Sequence, residues 1–140
     1  ENVQFLNEEK RITKNKGYIL VAYCMNEYSI ITHAFKKNFA KQCIAEGKID
    51  INFHCVCNEK DLYDYVRIED IDKIDQASGL KRIKIISADG PADYMRQVLN
   101  GMDEETFKIF MDYHIATCER PELLGASAHT VDILQKAAEE

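Results

Sequence analysis

The sequence lacks a glycine-rich loop of the kind that cradles the phosphates of a nucleotide. Its six glycines each stand alone, and long stretches of other residues separate them. No residue can therefore be assigned to a nucleotide cofactor from a glycine motif. The sequence also lacks an apolar run near the roughly 18 residues of a membrane span, and no secretory signal pattern opens it. We therefore expect no membrane partner.

Basic residues are also scarce. The sequence has 18 lysines and arginines but 24 aspartates and glutamates, which gives a net charge of −6. Binding to nucleic-acid phosphates needs clustered Lys and Arg, so this balance argues against nucleic acid as a partner. The five cysteines are odd in number and unevenly spaced, unlike a disulfide framework. Free thiols in a reducing compartment are the simpler interpretation, and we expect a cytoplasmic protein.

The length of 140 residues fits one domain with a single modest core. Residues 18–23 are apolar at both alternating sets of positions, which is typical of a strand in a covered, mostly parallel sheet. Residues 80–87 and 129–134 predict two further strands. Residues 51–57 are short, alternating and ambiguous. The order of elements predicts an α/β fold in which the first strand is central and has a neighbour of its own.

Helical patterns fill the segments between these strands. They predict helices over residues 2–13, from Ser29 to Gly47, over 69–78, over 91–101 and over 103–118, and a helical turn that Asn58 or Asp61 opens and that runs through Tyr65. In the helix that Asp103 caps, Phe107, Phe110 and Met111 form an apolar stripe. We expect this stripe to face the core or to roof a pocket.

The turn Lys14-Asn-Lys-Gly17 and the apolar strand after it resemble the K-P-G-G turn and fifth strand of class I S-adenosylmethionine-dependent methyltransferases. Residues 81–86 resemble the sixth strand of that family. Residues 129–134, with the closing Lys136, resemble its antiparallel seventh strand, and residues 113–129 are similar to a segment of bacterial members that act on small molecules. The resemblance covers nearly the whole chain.

This resemblance implies an α/β fold with part of a Rossmann-like methyltransferase sheet, namely strands five to seven with the last antiparallel, and inserted helices. Residues 1–140 would be the C-terminal part of one methyltransferase domain, facing a small-molecule acceptor. The family's glycine-rich first motif and its ribose-binding acidic residue have no counterpart here, so no cofactor-binding residue is carried over. S-adenosylmethionine would be bound mainly by an absent N-terminal half, and we expect the chain alone to be inactive. That half, or a second copy of the chain, would cover the exposed strand edge at residues 18–23.

Ligands of open α/β sheets bind beyond the carboxyl ends of the strands. Tyr23, Asn26, Glu27 and Tyr28 lie at that end of the first strand and are candidates for acceptor binding. Asn26 and Tyr28 would orient a polar acceptor, and Glu27 would take a proton from it. In the alternative interpretation, Asn26 and Tyr28 only form the turn and cap the next helix.

Three further residues are candidates for the same site. His114, on the apolar face of its helix, is the candidate general base, and the alternative is a buried histidine that is hydrogen-bonded in the core. Arg120 is a candidate clamp for a carboxylate or phosphate, and the alternatives are an ion pair with Glu119 or Glu122 and a carbonyl cap for the helix end. His129 opens the third strand and would face the site from across the sheet, and the alternative is that it only bonds the loop before it.

Two alternatives come from other functional classes. The first is a cofactor-free α/β interaction or dimerisation module that uses the exposed strand edge. The second is a metal-binding domain built on His54, Cys55 and Cys57, joined by His114 or Cys118. The C-x-C spacing differs from the paired C-x-x-C of structural zinc sites, so the competing interpretation is a half-buried strand whose thiols pack. We assign no metal ligand.

Overall fold

The computed structural model describes residues 2–138. The strands are β1 (Tyr18–Met25), β2 (Tyr65–Val66), β3 (Lys81–Ser87) and β4 (His129–Gln135). The helices are α1 (Asn2–Ile12), α2 (Asn26–Ser29), α3 (Ala40–Ala45), α4 (Ile68–Ser78), α5 (Arg96–Asn100), α6 (Glu104–Thr117) and α7 (Pro121–Leu124), together with a π-helical turn (Ile30–Phe35) and a 3₁₀ turn (Ala92–Met95). The predicted α/β class is confirmed.

The strands form one sheet in the order β2-β1-β4-β3. β2 runs parallel to β1, whereas β4 lies between β1 and β3 and is antiparallel to both. The three predicted strands are therefore confirmed, and the last one is antiparallel as expected. The expectation of a mostly parallel sheet was wrong, because the antiparallel β4 separates the two long strands that run in the same direction.

Helices α1 and α4 pack on one face of this sheet. Leu6 of α1 contacts Ile19 of β1 and Leu134 of β4, and Ile71 of α4 packs with Met25. These side chains recur at the helical period of 3.6 and the strand period of two, so both elements present one apolar side to the shared core. The end of α4 at Gly79 was predicted correctly, since that residue has a left-handed φ of 65°.

The other face of β1 is open, which corrects the expectation that both faces are covered. Leu20 keeps 68% of its surface exposed and Tyr18 keeps 61%, although both belong to the apolar strand pattern. Apolar residues at both sets of positions show that both faces of the strand suit burial. They do not show that another element packs on each face. Within residues 2–138, this face has no covering layer at either position.

The predicted helical turn through Tyr65 was wrong, because Tyr65 and Val66 form the short strand β2 instead. They pair with Cys24 and Met25 at the end of β1, a contact that no local pattern announces. Residues 51–57 do not form a strand either, and Ile51 is 92% exposed.

The helix expected to start at a Ser29 cap begins earlier, at Asn26, directly after β1. Ser29 therefore lies inside the helical segment, which widens into the π-helical turn at Ile30. Asn38 has a left-handed φ of 60°, which interrupts the predicted long helix before α3 begins.

Helix α6 begins at its predicted cap, where the Asp103 carboxylate accepts a hydrogen bond of 2.8 Å from the Thr106 backbone N–H. The core position expected for its apolar stripe was wrong, because no residue of α6 is buried and Phe107 stays 43% exposed. Among the described residues, no helix is both long and apolar enough to cross a membrane.

Candidate functional site

The carboxyl ends of β1, β2 and β3 meet the amino end of β4 at one edge of the sheet. The register places Cys24 opposite His129, and Met25 opposite Val66. The residues that follow these strand ends therefore come together, as the sequence predicted for the end of β1. This edge carries Asn26, Glu27 and Tyr28 after β1, Arg67 after β2, Asp89 after β3, and His129 at the start of β4.

Asn26 is fully buried and fastens a loop onto this edge. Its side-chain amide donates to the Phe53 carbonyl oxygen at 3.0 Å and accepts from the Cys55 backbone N–H at 2.7 Å. A third hydrogen bond joins the amide nitrogen to a Glu27 carboxylate oxygen at 3.1 Å. Because protein groups occupy both ends of the amide, Asn26 positions the loop and its neighbour Glu27.

Glu27 is held by an arginine that the sequence did not single out. Arg67 Nε donates to Glu27 Oε1 at 2.5 Å, and Arg67 Nη2 donates to the Phe53 carbonyl oxygen at 2.8 Å. Arg67 follows β2. The sequence would have pointed to Arg67 only if Tyr65 and Val66 had been recognised as a strand. The Glu27 side chain stays 43% exposed at this edge.

The loop after α3 carries the histidine and cysteines considered for a metal site. His54 Nδ1 lies 3.1 Å from the Cys55 carbonyl oxygen, and Nε2 lies 3.0 Å from Asp70 Oδ2. The hydrogen bond with Asp70 raises the pKa of His54 above its usual range. Burial raises the pKa values of the Cys55 and Cys57 thiols, which favours their neutral form. Over residues 2–138, no three His, Cys, Asp or Glu side chains group as ligands of one metal ion.

His129 forms a pair with Asp89 across the edge. His129 Nδ1 lies 2.8 Å from Asp89 Oδ2, and the His129 backbone N–H donates to the same oxygen at 2.8 Å. Because a carboxylate only accepts, Nδ1 is the donor, and in the neutral imidazole Nε2 therefore has the lone pair. Asp89 thus orients an imidazole whose free nitrogen can accept a proton.

His114 reaches the same loop from α6. Its Nε2 lies 3.1 Å from the Ala88 carbonyl oxygen, so Nε2 donates and Nδ1 keeps its lone pair. Gly90 lies close to the ring, since a Cβ there would lie 2.8 Å from His114 Nδ1. The Gly90 backbone N–H donates to Ser127 Oγ at 3.0 Å, which holds the loop still. The structure therefore brings His114 and His129 together around residues 88–90.

Tyr28 contributes to a cleft of about 650 Å³ beside this edge. Its ring meets the ring of Tyr94 edge-on, with centroids 5.3 Å apart, and meets the ring of His33 in the same way at 6.3 Å. Tyr94 and His33 were not among the sequence-predicted site residues. The sequence gives little indication of these two residues. His33 lies on the π-helical turn and Tyr94 on the 3₁₀ turn, and neither turn has a hydrophobic periodicity that predicts it.

Two predicted site residues lie apart from the others. Tyr23 is buried between the sheet and α4, and within residues 2–138 its hydroxyl group has no hydrogen-bond partner. Burial and the nearby Asp75 raise the pKa of that hydroxyl. Arg120 is exposed and forms an ion pair with Glu122 at 2.5 Å, which is one of the alternatives that the sequence left open.

Comparisons with known proteins add no family. A scan against models of protein families found no match, and a search of curated proteins found no significant match.

Proposed function

We propose that this chain is the acceptor-facing half of a class I S-adenosylmethionine-dependent methyltransferase that acts on a small molecule. One observation carries the proposal: the two proton-accepting imidazole nitrogens and the Glu27 carboxylate lie at the edge where the carboxyl ends of β1, β2 and β3 meet. An edge of this kind is where open α/β sheets bind their ligands. The likeness of the strand order to the family, with its antiparallel last strand, adds support.

The described residues do not form a cradle for the cofactor's nucleoside. In residues 2–138, glycines with a left-handed φ are Gly47, Gly79 and Gly90, and each stands alone after a helix or strand. A glycine-rich turn between a strand and a helix is the usual device for close backbone approach to such a group. Under the proposal, residues outside this chain would bind the cofactor.

The chain's own contribution would be to orient the acceptor and to remove its proton. His114 Nδ1 is the proposed proton acceptor, because Nε2 is committed to the Ala88 carbonyl oxygen. His129 Nε2 is oriented for the same task by Asp89. Fixed placement of an acceptor against its donor accounts for much of the rate of such transfers, so the rigid loop at residues 88–90 would serve alignment as well.

The open face of β1 is consistent with a larger sheet assembly. Leu20 and Tyr18 are exposed apolar side chains next to a strand edge that β2 pairs only at Cys24 and Met25. Apolar surface of this kind normally marks an interaction site. Under the proposal, further elements of the methyltransferase domain cover this face and complete the sheet beside β1.

The test is calorimetric titration of S-adenosylhomocysteine into the 140-residue chain and into the protein expressed from the whole reading frame, upstream codons included. We expect binding by the longer protein and none by the chain alone. In the longer protein, Leu20→Asp should lower the melting temperature by several degrees, whereas the exposed loop substitution Leu62→Asp should not. Absence of binding by both proteins would overturn the methyltransferase proposal.

A second candidate is an interaction module that associates through the open edge of β1. In the described part of the chain, residues 2–138, residues 18–23 of β1 have no strand partner on the β2 side, and unpaired strand edges are templates for strand addition. Light scattering at high protein concentration tests it. A dimer that Leu20→Lys converts to a monomer would favour this candidate, and a monomer at every concentration would exclude it.

A further inference from the structure

The cleft beside Tyr28 is built from two segments that follow different strands. The π-helical turn after β1 supplies one wall, and the 3₁₀ turn and α5 after β3 supply the other. π-helical turns within helices are uncommon and occur frequently at functional sites. The volume of about 650 Å³ lies within the range that small organic ligands occupy.

The floor of the cleft is aromatic and anchored. Tyr28 lies between the rings of His33 and Tyr94, both edge-on to it. The Tyr94 hydroxyl donates to the Ala126 carbonyl oxygen at 2.6 Å, and Thr32 Oγ1 donates to the Tyr28 carbonyl oxygen at 2.7 Å. The first bond fixes the Tyr94 ring, and the second fixes the backbone that carries Tyr28, so a flat ligand would meet a largely preformed aromatic surface.

The rim of the cleft is positively charged in an otherwise acidic chain. It carries Lys36, Lys37 and Arg96 against one acidic residue, Asp93, which leaves two positive charges. Arg96 pairs with Asp93, but within residues 2–138 neither lysine lies within ion-pair distance of a carboxylate. The whole chain has a net charge of −6, so the excess of positive charge at this rim is opposite in sign to the charge of the chain. Grouped cations at a concave surface attract anionic ligands.

We propose that this cleft binds a small molecule that carries a flat ring and an anionic group, either a phosphate or a carboxylate. The ring would lie against Tyr28 and Tyr94, and the anion would meet Lys36, Lys37 and Arg96 at the rim. Binding itself does not depend on the methyltransferase proposal. The assignment of this ligand as the methyl acceptor does rest on it, because the cleft adjoins the strand edge that holds His114 and His129.

The test uses the 140-residue chain and four probes: phenyl phosphate, benzoate, phenol and benzylamine. Binding is followed by calorimetry and by the NMR signals of the tyrosine rings, at low and at physiological salt. We expect phenyl phosphate or benzoate to bind at least about tenfold more tightly than phenol, and benzylamine not to bind. Affinity for the anion should fall as salt is added. The stronger of the two anions identifies the phosphate or the carboxylate as the preferred group.

The variant for this test replaces Lys36, Lys37 and Arg96 together by glutamine, and Lys41→Gln with Lys108→Gln is the control away from the cleft. All five side chains are exposed, so the fold should survive. We expect the triple variant to lose at least about tenfold in affinity for the anion and the control to lose none. Equal binding of phenyl phosphate and phenol, or full anion binding by the triple variant, would overturn the proposal.

The two proposals fail separately. If the longer protein does not bind S-adenosylhomocysteine but the cleft binds the anionic probes, the methyltransferase proposal is overturned and the ligand proposal for the cleft stands. Cofactor binding without any preference for the anionic probes would overturn the cleft assignment alone.

Discussion

Replacement of Asp75 by asparagine should stabilise the protein at pH 8 and have little effect near pH 4. Asp75 is buried on α4, and the groups that face it are Asp132 of β4, Arg82 of β3, Tyr23 of β1 and the neighbouring Asp72. An Arg82 guanidinium nitrogen lies 2.8 Å from Asp75 Oδ2, but it is not aligned for a hydrogen bond. Instead, Arg82 donates two hydrogen bonds of 3.0 Å and one of 2.9 Å to Asp132. Asp75 is therefore the carboxylate that is least compensated.

Burial, followed by the hydrogen bond and negative charge of Asp132, raises the pKa of Asp75 from 3.8 to about 7, although Arg82 opposes the rise. Between these values the folded protein holds a proton that the unfolded chain has released. Stability therefore falls as the pH rises from about 4 to about 7, and then levels off. The difference between the two pKa values corresponds to a loss of about 2 to 4 kcal/mol in the free energy of unfolding. The upper value applies if the whole pKa difference is expressed as lost stability.

The assay is urea denaturation, followed by far-ultraviolet circular dichroism between pH 4 and pH 8, of the parent protein and Asp75→Asn. Because Asp132 and Tyr23 interact with Asp75, the difference between the two proteins reports Asp75 together with its influence on these neighbours. We expect this difference to grow by about 2 to 4 kcal/mol in favour of asparagine as the pH rises. The control is Asp72→Asn, which removes a partly exposed partner of Arg82 and should change stability by less than about 1 kcal/mol without this pH slope. Identical pH slopes for the parent and Asp75→Asn would refute the reasoning.

Three further predictions concern the candidate site. Asn26→Ala should cost about 1 to 3 kcal/mol in urea denaturation and speed hydrogen exchange in the loop it anchors, because the partly buried Cys55 N–H loses its acceptor, while the Phe53 carbonyl oxygen keeps its bond from Arg67. Gly90→Ala should destabilise by about 1 to 3 kcal/mol and shift the NMR signals of His114, because it adds left-handed strain at φ 53° and a clash with the imidazole. The His54 ion pair with Asp70 raises the folded pKa of His54, so its stabilisation is complete below about pH 6.5 and is lost as the pH rises through the higher folded value. His54→Gln should therefore be less stable than the parent by up to about 1 kcal/mol at pH 5.5, with a smaller difference above pH 8.

Each of these variants has a matched control. Asn58→Ala removes an exposed side chain that bonds the Lys60 backbone N–H within its own turn, and it should leave stability nearly unchanged. Gly47→Ala carries similar left-handed strain at φ 69°, but no atom of residues 2–138 lies within 4 Å of the added Cβ, so it should spare His114. His33→Gln is the control for His54→Gln, because among residues 2–138 the His33 imidazole forms no ion pair with a carboxylate. An Asn26→Ala variant as stable as the parent, a Gly90→Ala variant that leaves the His114 signals in place, or a pH-independent His54→Gln difference would contradict the corresponding prediction.

The sequence alone determined the elements whose signals are local. Apolar residues at both alternating sets of positions in 18–23 marked β1, and Asp103 and Gly79 marked a helix start and a helix end through capping and a left-handed turn. The polar run after β1 lies at the carboxyl end of that strand in the structure, because direction along a strand follows from the chain. Its role in ligand binding stays a prediction. His114 was chosen from its place on α6, and the structure brings it to that edge.

Only the tertiary structure decided which residues distant in sequence meet. β2 exists because Tyr65 pairs with Cys24 at the end of β1, and Arg67 becomes the partner of Glu27 only through that pairing. The partners of Asp75 come from three strands, and the walls of the cleft come from segments after two strands. The open face of β1 shows the same limit, because periodicity reports which side of an element is apolar, whereas its burial depends on a neighbour that the local sequence does not specify.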